Sequence, residues 1–148
     1  NDDTSSLFTA IDSDDNNISV IFIGDIKLTV QHIRQYLGEM DVINCPQCII
    51  IYGNSVTPAA KKFAHDNEDK KVELFSEPEL MYNITKHNYV PKHTRLSASG
   101  AEEFKDKYGT SFPCLHFTDP VSRFYAFSIG DVIEIEDLDE IVKYRIVR

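Results

Sequence analysis

Several things are scarce in this chain, and each scarcity excludes something. The three cysteines, Cys45, Cys48 and Cys114, are few and odd in number. That argues against a disulfide framework and fits a reducing compartment. No apolar run exceeds strand length: VIFI and CIIIY are the longest, far short of the ~20 residues of a membrane span, so no membrane partner is expected. Positive charge is in deficit, with 15 Lys+Arg against 24 Asp+Glu and a net charge of −9. Binding nucleic acid through overall charge is therefore excluded. There is no P-loop, no GxSxG, no His pair at zincin spacing and no paired-carboxylate motif. The opening NDDTSSLFTAIDSDDNN is acidic and polar and does not read as a secretory leader. Residues 1–17 read as a disordered start or as an entry into the middle of a domain.

What is present suffices for one domain or two small ones: 148 residues, 42% hydrophobic and 26% charged. Residues 1–90 carry 7 Lys+Arg and 14 Asp+Glu, net −7, whereas residues 91–148 carry 8 and 10, net −2. An anionic partner would thus need a local basic patch.

Residues 18–24, ISVIFIG, read as a strand closed by glycine. Residues 27–40 space Leu28, Ile33, Tyr36, Leu37 and Met40 as a helix does. Residues 47–53, QCIIIYG, form a strand apolar enough to be buried on both faces. Thr57 and Pro58 then cap and open a helix. Residues 71–76 give a third strand, and Ser76 with Glu79 forms a capping box for a helix expected to run through EPELMYNITKH. This βαβαβα order implies an α/β layer with parallel pairing. A second module is expected from Pro91: a helix within 96–109, a short strand at 114–119, a capped helical turn at 120–127, and two antiparallel strands joined by the acidic turn DLDE. The expected organisation is an acidic start (1–17), a first module (18–90) and a second (91–148).

The chemistry-bearing residues are sparse. CPQC precedes a strand, whereas a redox CxxC follows one and opens a helix. A zinc site needs four ligands, for which only Cys114 and His116 are at hand. Two cysteines entering a buried strand is the plainer reading. His87 and His93 are six apart across Pro91 and share no helix face; Lys86 and His87 suit a helix C-terminus instead. Asn83-Ile84-Thr85 matches a glycosylation sequon but falls inside a predicted helix and reads as a chance match. Lys61 and Lys62 follow the helix start at Thr57-Pro58, where free N–H groups favour phosphate; a solvated helix face is the plainer alternative. Arg123 lies four residues after Asp119, within reach of it, as a structural link or a partner anchor.

NITKHNYVPKHTRLS, then DPVSRFYAFSIGDVIEI, then the terminal YRIV resemble the shared fifth subunit of eukaryotic nuclear RNA polymerases, the H subunit of archaea. IIIYGNSVTPAAKKF resembles another segment of that family, so the likeness covers residues 18–148. The resemblance implies an α+β protein: an α/β jaw module with a restriction-endonuclease-like layer (18–90), then a small mixed assembly module (91–148). It implies no catalysis and no cofactor or metal. It implies docking on the largest polymerase subunit beside neighbouring small subunits, a nuclear setting, and weak contact with downstream duplex DNA. A divergent member from a large DNA virus would work in a viral factory or virion. Asn54, Thr57, Pro58 and Ala59 match the DNA-proximal jaw segment, to which charge adds Lys61 and Lys62. Pro91, Lys92 and His93 match the hinge. Asp119, Pro120, Val121, Arg123, Gly130, Asp131, Val132, Tyr144 and Arg145 match the assembly module. Two stretches depart: EDLDEI stands where the family carries a basic segment, and FSIG replaces a basic turn. The rival expectations are a stand-alone metal-dependent nuclease-like enzyme using His87 and His93, and an adaptor reusing the assembly module.

Overall fold

The structure is a computed structural model that describes residues 5–11, 15–67, 69–137, 139 and 141–148. The chain is mixed α and β, and forms two compact units, one ending at Tyr82 and the other starting at Asn83.

The first unit is a four-stranded sheet in the order β1-β2-β3-β4. Ser5–Ile11 (β1) runs antiparallel to Asn17–Ile23 (β2), while Gln47–Tyr52 (β3) and Lys71–Ser76 (β4) continue in parallel. No strand was expected at Ser5–Ile11: all seven residues are exposed, so the buried-face signal is missing. The rest of that acidic start includes residues 1–4 and 12–14, which lie outside the described residues. Parallel strands need crossovers, and Val30–Val42 (α1) and Pro58–His65 (α2) supply them. Both pack on one face. Ile33, Tyr36 and Met40 of α1 and Ala60 and Ala64 of α2 share a buried core with Ile21, Ile23, Cys48 and Ile50. Each large side chain so buried contributes ~1.5–3 kcal/mol.

The helix starts are built alike. Leu28 bridges Val56, with Leu28 N–H donating to Ser55 O at 2.8 Å and Thr57 N–H to Leu28 O at 3.0 Å. Thr29 and Thr57 then cap α1 and α2 side by side. In α1 the third helical residue is His32, whose Nδ1 accepts the Thr29 N–H at 3.3 Å, taking the place of the usual glutamate.

The helix expected over EPELMYNITKH is broken. Glu77–Leu80 (α3) keeps the Ser76–Glu79 capping box, and a 3-10 turn follows at Ile84–Lys86. Asn83 Oδ1 accepts from Thr85 N–H at 2.9 Å and from its hydroxyl at 2.6 Å. A side chain that captures the nearby backbone in this way competes with helix.

The second unit is a sheet in the order β5-β7-β8-β6: Lys92–Arg95 (β5), Cys114–Leu115 (β6), Val132–Glu136 (β7) and Val142–Val147 (β8). The expected β7–β8 antiparallel pair is present, with Val132 opposite Ile146 and Ile135 opposite Lys143. In its acidic turn, Leu138 and Glu140 lie outside the described residues. Of the residues matched to a hinge, Pro91, Lys92 and His93, the last two lie in β5, which pairs with β7. The strand expected at 114–119 is only two residues long. Ala98–Tyr108 (α4), capped by Ser97 and ended by Gly109 at φ 78°, lays Phe104 against Tyr144 on one face. On the other face Ile133, Ile135 and Val147 pack with Leu115 and Phe127. Pro120–Phe124 (α5) stops at Ala126, whose φ of 51° cannot continue a helix.

Candidate functional site

Asn54, Thr57, Pro58, Ala59, Lys61 and Lys62 gather at one place: the carboxyl end of β3 and the start of α2. Ligands in open α/β sheets bind at this end of the strands. Thr57 Oγ1 accepts the Ala60 N–H at 3.2 Å, and Asn54 Nδ2 donates to Asp25 O at 3.1 Å. Pro58, Ala59, Lys61 and Lys62 are exposed, while Ala60 is buried beneath them. The site is not uniformly positive. Asp25 Oδ1 and Glu77 Oε1 lie 3.2 and 3.4 Å from where a Cβ on Gly53 would sit. The helix start is thus bordered by two carboxylates on the Gly53 side. Sequence reasoning missed both, because they follow different strands and meet only in the sheet.

The second group is scattered over the second unit. His93 Nδ1 contacts Pro91 O at 2.8 Å, and Lys92 reaches Glu136 at 3.3 Å. Asp119 Oδ1 accepts the Val121 N–H at 2.8 Å, and the Arg123 N–H donates to Asp119 O at 2.9 Å. Pro120 is exposed. Gly130, at φ 94°, accepts from Lys105 Nζ at 2.7 Å, and its N–H donates to Val147 O at 3.0 Å. Asp131 Oδ2 accepts the Ser128 N–H at 2.8 Å and faces Arg95 at 3.5 Å. The Tyr144 hydroxyl donates to Glu134 at 2.8 Å; this bond is the main reason its pKa is raised. Arg145 reaches Cys114 O at 3.5 Å. Val121 is 7% exposed and Val132 is fully buried, so both pack inside the unit. The exposed apolar side chains near α5 are instead Phe117, Phe124, Tyr125 and Ile129. Alternation along a strand could not find them, because they lie in loops and a short turn.

The remaining chemistry is quiet. Cys45 and Cys48 are buried in the first unit's core, and Cys45 Sγ donates to Asn17 O and Gln47 O. Burial, with Cys45 beside it, pushes the Cys48 thiol up to about 12, so it stays protonated. Cys114 is exposed in β6. His87 accepts the Tyr89 N–H at 3.3 Å. Among the described residues no three His, Cys, Asp or Glu side chains gather as a metal site, and no helix is long and apolar enough to cross a membrane.

The family described as RNA polymerase Rpb5, C-terminal domain, matches residues 82–147, almost the whole second unit. A Caenorhabditis briggsae protein named DNA-directed RNA polymerases I, II, and III subunit RPABC1 is 30% identical over 153 aligned positions, covering 98% of this chain and 72% of that protein. The chain belongs to the Rpb5 family. Another Rpb5 relative, the Dictyostelium discoideum rpabc1 subunit of the same three polymerases, is 34% identical over 84% of this chain and 66% of its own length. A viral relative, the putative DNA-directed RNA polymerase subunit 454R of Invertebrate iridescent virus 6, is 36% identical over 67% of this chain and 60% of its own length. The chain thus spans about two thirds of the length of these Rpb5 relatives.

Proposed function

We propose that this Rpb5-family chain is a non-catalytic subunit of a multisubunit DNA-directed RNA polymerase. The observation that carries the reading is the match over 98% of the chain to a named polymerase subunit. The second unit serves assembly, docking on the largest subunit and its small neighbours. The first unit is a jaw-like module with a restriction-endonuclease-like layer, and the start of α2 lies near downstream DNA. One helix N-terminus with two lysines can position a phosphate without reading sequence. An acidic chain can take such a place because the positive channel belongs to the large subunits. The setting is the nucleus, or a viral factory or virion for a viral member.

Affinity purification of the tagged chain at native level tests the reading. Co-purification of the largest polymerase subunit is expected, and its absence refutes the proposal. A stand-alone metal-dependent nuclease would instead show stoichiometric metal and activity of the isolated chain. An adaptor would purify with other partners.

A further inference from the structure

Two stretches of this acidic chain hold no acid. Residues 27–38 and 54–65, 24 residues together, carry Lys27, Arg34, Lys61 and Lys62 and not one Asp or Glu. The other 58 residues of 1–82 carry 2 Lys+Arg and 14 Asp+Glu. The fold brings the two stretches together. Leu28 bridges Val56 where α1 and α2 begin, and Lys27 immediately precedes that joint. Farther along, the Arg34 guanidinium of α1 lies over the Phe63 ring of α2, 5.2 Å from its centre, and Lys62 is the residue before Phe63. All four cations are exposed. The unit's other two are engaged elsewhere: Lys70 pairs with Asp41 at 2.7 Å, and Lys71, the first residue of β4, with Glu73 at 2.9 Å. Among the described residues, none of Lys27, Arg34, Lys61 and Lys62 pairs with a carboxylate. The local basic patch that an anionic partner needs is thus built by two helices.

We infer that the phosphate-binding surface of the first unit is this two-helix face and not the start of α2 alone, with Lys27 and Arg34 contacting the backbone of the same duplex DNA. The inference rests on the polymerase reading above and adds α1 to it. Charge names the ligand class. Cations gathered without carboxylates raise the local potential even on an acidic chain. Each one that neutralises a phosphate releases a counterion, which makes the contact salt-dependent and indifferent to sequence. Arg34 is the best placed of the four. Stacking on Phe63 holds its planar fork in position while the edge N–H groups stay free for phosphate oxygens.

The test uses the assembled polymerase carrying variants of the full chain. Affinity for a labelled downstream duplex is read by fluorescence anisotropy over a salt series. Lys27→Ala with Arg34→Ala should lower the salt slope by up to about 2, at ~0.9 per lost phosphate contact. Arg34→Lys keeps the charge and should keep the slope. Gln31 is exposed and lies three residues before Arg34, on the same helix face. Gln31→Lys should therefore steepen the slope by up to about 1. Lys71→Ala, away from the face, should leave it unchanged. Circular dichroism of the free chain reports folding, and the gain from Gln31→Lys decides if the double alanine variant does not fold. A slope that falls with Lys61→Ala and Lys62→Ala but ignores Lys27→Ala and Arg34→Ala overturns this inference and leaves the α2 contact standing. A slope indifferent to all four, or a chain that enters no polymerase, overturns both. An equal response to Lys71→Ala means unspecific charge and overturns the inference. So does loss of the Lys27→Ala, Arg34→Ala chain from the polymerase, which would make the face a contact for an acidic subunit.

Discussion

Tyr144→Phe isolates one bond in the second unit. It keeps the ring 4.6 Å from Phe104 and removes the hydroxyl that donates to Glu134 Oε2 at 2.8 Å across the β7–β8 pair. A hydrogen bond to a charged group contributes ~1.5–3 kcal/mol. This one is part-buried, and water screens it, so the expected loss is about 1 kcal/mol. The pH dependence is the sharper signature. Donation to Glu134 raises the Tyr144 pKa above 10.0, because ionisation would set a phenolate against a carboxylate. A group whose folded pKa is raised stabilises fully below its unfolded pKa, and the contribution is lost as pH rises through the folded value. The difference between wild type and Tyr144→Phe should therefore be constant from neutral pH to about pH 9 and shrink above about pH 10. Urea unfolding at a series of pH values measures it. A double-mutant cycle with Glu134→Gln separates the pair from other effects. A coupling energy within about 0.3 kcal/mol of zero, or a difference that ignores pH, refutes this account.

Three further expectations follow from the geometry. Gly130→Ala meets no atom within 4 Å but must hold φ at 94°, so backbone strain alone should cost about 1–2 kcal/mol in urea unfolding; an unchanged midpoint would mean the turn relaxes. Asp119→Ala removes the cap that accepts the Val121 N–H; about 1 kcal/mol should be lost, and less polymerase should co-purify with the chain. Lys61→Ala with Lys62→Ala should weaken DNA engagement of the assembled enzyme slightly and reduce its salt slope by up to about 2, and an unchanged slope argues against a phosphate contact there.

The alternating core was legible because its signals agree. Ile21 and Ile23 alternate on β2, Ile33, Tyr36 and Met40 recur at helical spacing on α1, and Thr57-Pro58 opens α2. Where signals were weak or in conflict, the sequence misled. In β1, Leu7 and Phe8 are both exposed, so no face stood out among the flanking aspartates. Asn83 looked helical by its neighbours, yet its carboxamide holds the Thr85 N–H and ends the run. Lys92–Arg95 has no apolar alternation and becomes a strand only because β7 pairs with it. The site followed the same rule. The α2 start was visible as a contiguous motif, whereas the Asp25–Glu77 border is made by three strand ends and has no linear trace.

The placement of the three thiols gives the chain an internal clock. Cys114 lies open to solvent in β6, while Cys45 and Cys48 are sealed in the first unit's core. An alkylating reagent should therefore add one label at once, and the next two only at the rate at which that core opens. Intact-mass spectrometry over time would read the opening of the first unit in the free chain without any introduced probe.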